Sequence, residues 1–366
     1  MMHRPSVCWV LAAATLALTA VAGAPPSRAA DEPPRALIER GAFKQARALL
    51  EPRLQAHPDD AEALWLMSRV KQAFGDTKAA LDLAERAVAL DGKNAEYHLQ
   101  VAEVCGQMGQ KAGLLKGMSL GKRFKKEAEI AVALDPRQTE ARMDLMMFYV
   151  IAPGIVGGDK KRAKAMAEEI MGIDPVQGNL AHARLAIQQK DSARAEPFYR
   201  QAVEIGAKNY RARLSAASFY IGSSQRKWEL AESHATTALE LDRARIGAYV
   251  MLAAIYAHGE RWPELDALLA AAEASVPDDL SPHYQAARIL IVEGRDPVRA
   301  ERYLRKYLSA EPEGGAPGLG GAHWRLGQAL ERQGRTAEAK REIEAALKIN
   351  PDLDEAKKDL KRLRRA

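Results

Sequence analysis

Cysteine is nearly absent from this chain. Cys8 and Cys105 are the only two in 366 residues. Cys8 lies in an N-terminal segment expected to be removed, and Cys105 alone cannot close an intrachain disulfide. A disulfide-stapled fold is thereby excluded, so stability must come from stacked apolar faces. Cys8 also precedes the apolar run of that segment. A lipidated cysteine would have to follow it. Cys105 reads as a small apolar core residue.

The usual catalytic constellations are missing too. There is no His-Glu-x-x-His, no cysteine pair at metal spacing and no Gly-x-Ser-x-Gly. Ser-x-x-Lys occurs at Ser68/Lys71, Ser119/Lys122 and Ser224/Lys227, without companion motifs. The histidines at 57, 98, 182, 234, 258, 283 and 323 are scattered and read as lone surface or packing residues. No catalytic residue, metal or cofactor is expected, and the chain reads as a non-enzyme.

An excess of one charge is lacking as well. Lys and Arg total 54 against 48 Asp and Glu, a net charge of +6, or +4 once Arg4 and Arg28 leave with the leader. The two signs alternate along the chain, which reads as solvated helix surface and argues against nucleic acid as a partner.

Only one long hydrophobic run exists, Val7 to Ala24, behind Arg4. Ser27-Arg28-Ala29 follows as a small-x-small cleavage site. Residues 1–29 are therefore expected to be a signal peptide, with Ala30 the new N-terminus of a periplasmic or secreted protein. The alternative is an uncleaved anchor, for which the run is close to the lower length limit.

What is present is a period. A small residue is followed twelve positions later by a helix breaker: Ala46 to Pro58, Ala163 to Pro175, Ala300 to Pro312, Ala339 to Pro351. Weaker copies are Ala80 to Gly92, Leu265 to Pro277, Ala195 to Ala207 and Ala231 to Arg243. Unit ends fall at 58, 92, 136, 175, 207, 243, 277, 312 and 351, with several steps on or near 34. Such a period means stacked helical hairpins. In the last unit Ala339, Ile343 and Ala346 share one helix face, and Gly334 can turn the chain between helices. Gly327 and Ala339 are small because two backbones must meet there.

Leu326-Gly327, Ala339, Ala346 and Pro351 match the tetratricopeptide-repeat pattern, as do Tyr256, Ala272 and Pro277, and Ala80, Ala84 and Ala87. Tyr149 and Tyr220 take its tyrosine position, while the tryptophan position is mostly lost and Trp324 is displaced by one. The chain thus resembles the tetratricopeptide-repeat (TPR) family from about residue 35 to 353, in the manner of exported bacterial members. The resemblance implies an all-α solenoid of about nine hairpins, the first truncated, with a C-terminal capping helix carrying Ala356, Leu360 and Leu363. It divides the chain into repeats 1–8 over 30–312, a glycine-rich linker at 313–321, a last repeat at 322–353 and the cap at 354–366. The linker is the expected hinge.

The family's function is to hold other proteins, so the resemblance implies a scaffold of the cell envelope binding a partner's peptide or amphipathic helix in a concave groove. Carried over by offset, that groove includes Trp65, Arg69, Met143, Met147, Val150, Leu214, Val250, Tyr284 and Trp324, with Leu180, Arg184, Met251 and Arg288 beside them. The family's carboxylate clamp of lysine and asparagine is not found, so a C-terminal-peptide receptor of that kind is not expected.

Two units carry insertions. Residues 106–124 hold Gly113, Gly117 and Gly121 four apart, with Lys111, Lys116, Lys122, Arg123, Lys125 and Lys126 around them. They read as a basic docking element or as a long hairpin tip with solvated lysines. The segment from Ala152 to Asp159 is rich in glycine, with Gly154, Gly157 and Gly158. It reads as a structural loop, with an anion site as the alternative. A membrane-tethered assembly factor is the other alternative function, and membrane contact is not favoured.

Overall fold

The computed structural model describes residues 32–222 and 226–365. The expected signal peptide lies outside the described residues. From Pro33 onward the chain forms one compact unit. Nineteen α-helices and no strand occur among the described residues. They form nine hairpins and a final single helix. The first three hairpins are α1 (Pro34–Arg40) with α2 (Phe43–Ala56), α3 (Ala61–Ala73) with α4 (Thr77–Leu90), and α5 (Ala95–Lys111) with α6 (Leu114–Leu134). Next come α7 (Thr139–Ile151) with α8 (Lys160–Ile173), α9 (Pro175–Gln188) with α10 (Ser192–Ile205), and α11 (Tyr210–Gly222) with α12 (Trp228–Leu241). The last are α13 (Ile246–His258) with α14 (Trp262–Ser275), α15 (Ser281–Glu293) with α16 (Pro297–Tyr307), and α17 (Leu319–Arg332) with α18 (Thr336–Ile349). Helix α19 (Asp354–Leu363) closes the stack and buries Ala356, Leu360 and Leu363. No helix among the described residues is long and apolar enough to cross a membrane.

The local signals explain the boundaries. Side chains of Asp60, Asp76, Asp159, Asp174, Asp191 and Asp296 accept first-turn N–H groups of the helices they precede. Eight of the nine second helices stop two residues before the breaker position read from sequence, as Ala56 before Pro58 and Ile349 before Pro351. The exception is α16, which stops at Tyr307, five residues before Pro312.

The twelve-residue interval marks the tightest contact in each hairpin. Ala46, Ala80, Ala163, Ala195, Ala231, Leu265, Ala300 and Ala339 are all at most 1% exposed. Opposite Ala339, a Cβ added to Gly327 would lie 3.1 Å from the Ala339 carbonyl and 2.6 Å from Ile343 Cγ1. The third hairpin inverts the sizes. Phe124 stands where most of its siblings have alanine, and Gly106 opposes it, a Cβ there meeting the Phe124 ring at 3.1 Å.

A second repeated contact ties neighbouring hairpins. Each tyrosine at the pattern position lies under a cation from the start of the following helix: Arg162 over Tyr149, Lys227 over Tyr220, Arg261 over Tyr256. Those cations pair with Glu129, Glu196 and Glu232 of the previous hairpin, at 3.6, 2.7 and 2.7 Å.

The expected hinge proves to be packed. Gly318 caps α17, so residues 319–321 of the expected linker are helical. Upstream, the extra residues after α16 reach back to the first two hairpins. Glu313 is 3% exposed and accepts the N–H groups of Lys44 at 3.0 Å and Gly314 at 2.7 Å. The Gly315 N–H donates to the Ala73 carbonyl at 2.8 Å. Lys44 Nζ donates to the carbonyls of Asp278 and Glu311, and Gln45 to the Asp278 carboxylate at 2.8 Å. A Cβ on Gly314 would meet the Phe43 ring at 2.8 Å and Ala73 Cβ at 2.9 Å. Glycine in sequence reads as looseness; here it permits close approach between distant parts of the solenoid, which turns back far enough to touch itself.

Two outcomes follow. Ala339→Leu overpacks the hairpin and costs on the order of 1–3 kcal/mol, and Gly327→Ala lowers the melting temperature in the same direction; unchanged melting in both variants would refute the contact. The second concerns Glu313, whose carboxyl burial pushes up to about 7, against its two backbone bonds and the nearby Lys44. A carboxyl that binds its proton more tightly when folded stabilises the fold fully below about pH 4.5, and that contribution is lost as pH rises to about 7. Over that interval thermal melting of Glu313→Gln should therefore rise relative to wild type, and parallel pH profiles would contradict this.

Candidate groove

The first helices of successive hairpins line the inner side of the stack, and two adjoining cavities lie along it. The first encloses about 930 Å³. Its walls are Arg69, Gln72 and Ala73 of α3, Glu103, Gly106 and Gln107 of α5, and Asp144, Met147, Phe148 and Ile151 of α7. The long α5–α6 hairpin adds Leu114, Met118, Gly121 and Phe124, and Phe43 and Gly315 close the far side. The second cavity, about 770 Å³, is lined by Glu140, Asp144, Leu180, Arg184, Tyr199, Arg211, Leu214, Ser218, Phe219 and Met251. Asp144 borders both, so the two form one groove.

Several residues expected on this wall are there. Arg69 and Met147 line the first cavity, Leu214 the second, and Leu180, Arg184 and Met251 also line the second. Val150 and Val250 are half-buried, with Val150 packed against the core. Others lie elsewhere. Trp65 is 4% exposed and Met143 6% exposed, and both belong to the core. Trp65 packs on Tyr97 at 5.8 Å, with the Arg35 and Arg69 guanidinium groups over its ring. Trp324 donates its indole N–H to Asp359 of the cap at 2.8 Å, under Arg325. Tyr284 packs on Tyr307 at 5.3 Å, and Arg288 donates to Gln285 at 2.9 Å. An offset along one helix does not show how closely its neighbour curves over it, which is why these positions differ.

The basic stretch divides. Lys111, Lys116, Lys122 and Lys126 are exposed, whereas Arg123 pairs with Glu85 and Lys125 lies 3.8 Å from Glu129. Gly117 and Gly121 serve close packing, whereas Gly113 faces open space. Gly117 faces the Gly109 carbonyl at 3.3 Å, and Gly121 faces Val156 at 3.0 Å, measured from an added Cβ.

Residues 152–159 form a hydrogen-bonded turn, as the structural-loop reading expects. The N–H groups of Val156, Gly157, Gly158 and Asp159 donate to carbonyls of Pro153, Gly154, Pro153 and Tyr149. Asp159 takes the first N–H groups of α8, from Lys161 at 2.8 Å and Arg162 at 3.1 Å. These N–H groups are therefore already paired within the turn and its helix cap. Gly158 is required because a Cβ would fall 1.8 Å from the Ala152 carbonyl oxygen.

The histidines expected to be lone mostly bridge helices. His98, His258, His283 and His323 lie within 2.9 Å of Glu127, Glu293, Glu273 and Glu342. No cluster of three metal-ligating side chains occurs among the described residues. Cys105 is fully buried, and burial pushes its thiol up to about 11, leaving a poor nucleophile.

The groove also holds two residues the sequence reading missed. Burial, with repulsion from Asp144 and Glu140, pushes the Glu103 carboxyl up to about 8 against the field of Arg69. Burial and Glu140 push Asp144 up to about 6, against Arg184. A signal was available: each is a single acid within an apolar run, Val101 to Cys105 and Met143 to Met147.

Comparison with known proteins agrees with this architecture. A tetratricopeptide-repeat model matches residues 320–353. The fold is a helical solenoid of tetratricopeptide-repeat type, and its last hairpin matches that repeat's family model; such solenoids are typical of protein–protein interaction scaffolds. A second family model, regulator of microtubule dynamics protein 1-3, matches residues 35–148. The chain is similar to bovine (Bos taurus) regulator of microtubule dynamics protein 3, at 28% identity over 148 residues. That match spans 37% of this chain and only 31% of the bovine protein. Among solved structures, yeast Tom70 aligns at 13% identity and a TM-score of 0.47, over 90% of this chain and 86% of its own. A thermophilic TPR protein of Thermus thermophilus aligns at 20% identity and a TM-score of 0.45, over 51% of this chain and 95% of its own.

Proposed function

We propose that this protein is a non-enzymatic scaffold of the cell envelope that holds a peptide or helix of a partner protein in its concave groove. The observation that supports this reading is the groove itself. Met147, Phe148, Leu214 and Met251 are half-buried side chains that pack on the protein on one side and border open cavity on the other. Apolar surface of that kind is left incompletely covered at a cost, which a partner removes. Methionine suits such a surface because its unbranched chain adapts to the occupant. Export is part of the same reading, supported by Arg4, the apolar run and Ser27-Arg28-Ala29.

Two measurements test it. The double variant Met147→Asp with Leu214→Asp should lose partner capture from an envelope extract while its helical circular dichroism stays near wild type. Unfolding would show that these residues are core, and retained capture would move binding off the groove. N-terminal sequencing of the exported protein should begin at or near Ala30, and an intact Met1 on most of the soluble protein would defeat the export reading.

A further inference from the structure

Glu103 and Asp144 form the polar part of a largely apolar wall. Glu103 keeps some surface open to the first cavity, yet protein surrounds it on nearly every other side. Neither carboxylate has a hydrogen bond or ion pair among the described residues. The nearest opposing fields are those of Arg69 on Glu103 and Arg184 on Asp144. Arg69 instead lies over the Trp65 ring at 5.6 Å. Two half-buried neighbouring carboxyls without a partner are costly to charge, and the cost falls when a cation reaches them. Burial, and after it the neighbouring carboxylates, raises the proton affinity of both groups.

Around these acids the wall is apolar. Met118, Met147 and Phe148 flank them. At the mouth, Leu114 is 80% and Ile151 64% exposed, an uncovered apolar rim bordering the same cavity. The volume of about 930 Å³ corresponds to roughly two turns of a helix about 10–12 Å across.

We propose that this cavity takes an amphipathic helix of a partner protein that carries a lysine or arginine among its apolar residues, and that Glu103 and Asp144 receive that cation. The proposal rests on the groove-binding reading and adds the charge of the occupant. Charge complementarity selects the basic side chain, and the apolar rim selects its flanks.

The test is a selection of displayed helix-forming peptides, each about four turns long, on the full chain. Selected peptides should share one lysine or arginine flanked by apolar residues three or four positions away. A selected peptide should bind wild type about tenfold or more tighter than its Lys→Met version. The double variant Glu103→Gln with Asp144→Asn should bind both versions alike, and Glu103→Gln alone should narrow the gap should the double variant fold poorly. Selected peptides without a basic residue, or a lysine preference that survives Glu103→Gln in a folded protein, would overturn this proposal and leave the groove reading standing. If no peptide is selected, or binding is insensitive to Met147→Asp with Leu214→Asp, both readings fall. Peptide binding seen only after deletion of residues 1–29 would make this chain's own leader the occupant. Self-association abolished by Glu103→Gln would assign it to a second copy, and either result overturns a foreign helix.

Discussion

The whole architecture depends on how closely two helices of one hairpin approach. Backbones meet where Gly327 faces Ala339, and the equivalent alanines of the other hairpins are equally enclosed. Close approach sets the angle of each hairpin, and equal hairpins stack with equal offsets. The size swap of Gly106 and Phe124 shows that the constraint is on summed volume rather than on one residue. A single enlarged hairpin would change the direction of every later one, because each repeat stacks on the one before it.

Stacking is then held in register by the tyrosine rungs. An aromatic ring, a cation above it and a glutamate of the previous hairpin recur at Tyr149, Tyr220 and Tyr256. Each rung is worth little by itself at a partly exposed site. Repeated at three steps, it favours one registry over a slipped one. Where the ring is replaced, as at Leu330, the ion pair survives: Arg335 still reaches Glu301 at 2.6 Å.

The self-contact at residues 311–315 is of another kind. It joins the first two hairpins to the loop after the eighth, so it depends on the accumulated curvature of every repeat between them. Lys44 supplies both a backbone N–H and an ammonium to that loop, and Glu313 accepts in a site almost closed to water. The contact also closes one side of the groove, through Gly315 and Phe43. Curvature, binding surface and closure are therefore linked through one loop.

Local chemistry made the repeats legible in sequence. The helix-breaking position lies two residues past the helix end in most hairpins, because proline, glycine and capping side chains act on the backbone next to them. The small-residue position and the cap residues Ala356, Leu360 and Leu363 were legible for the same reason. Groove membership was only partly so. Met147 and Leu214 line cavity walls, whereas Trp65 and Met143 are core and Trp324 is held by the cap. One helix face meets either solvent, a neighbour or the groove, and its periodicity is the same in all three cases. The glycines at 313–321 mislead in sequence because glycine permits both a loose turn and a tight contact, and only what lies opposite distinguishes them. Sequence alone therefore determined the hairpins and their order, since these follow from interactions within some tens of residues. The tertiary structure alone decided that Glu103 and Asp144 share a cavity, which depends on how two neighbouring hairpins curve over each other, and that Glu313 reaches Lys44, which depends on curvature summed over many repeats.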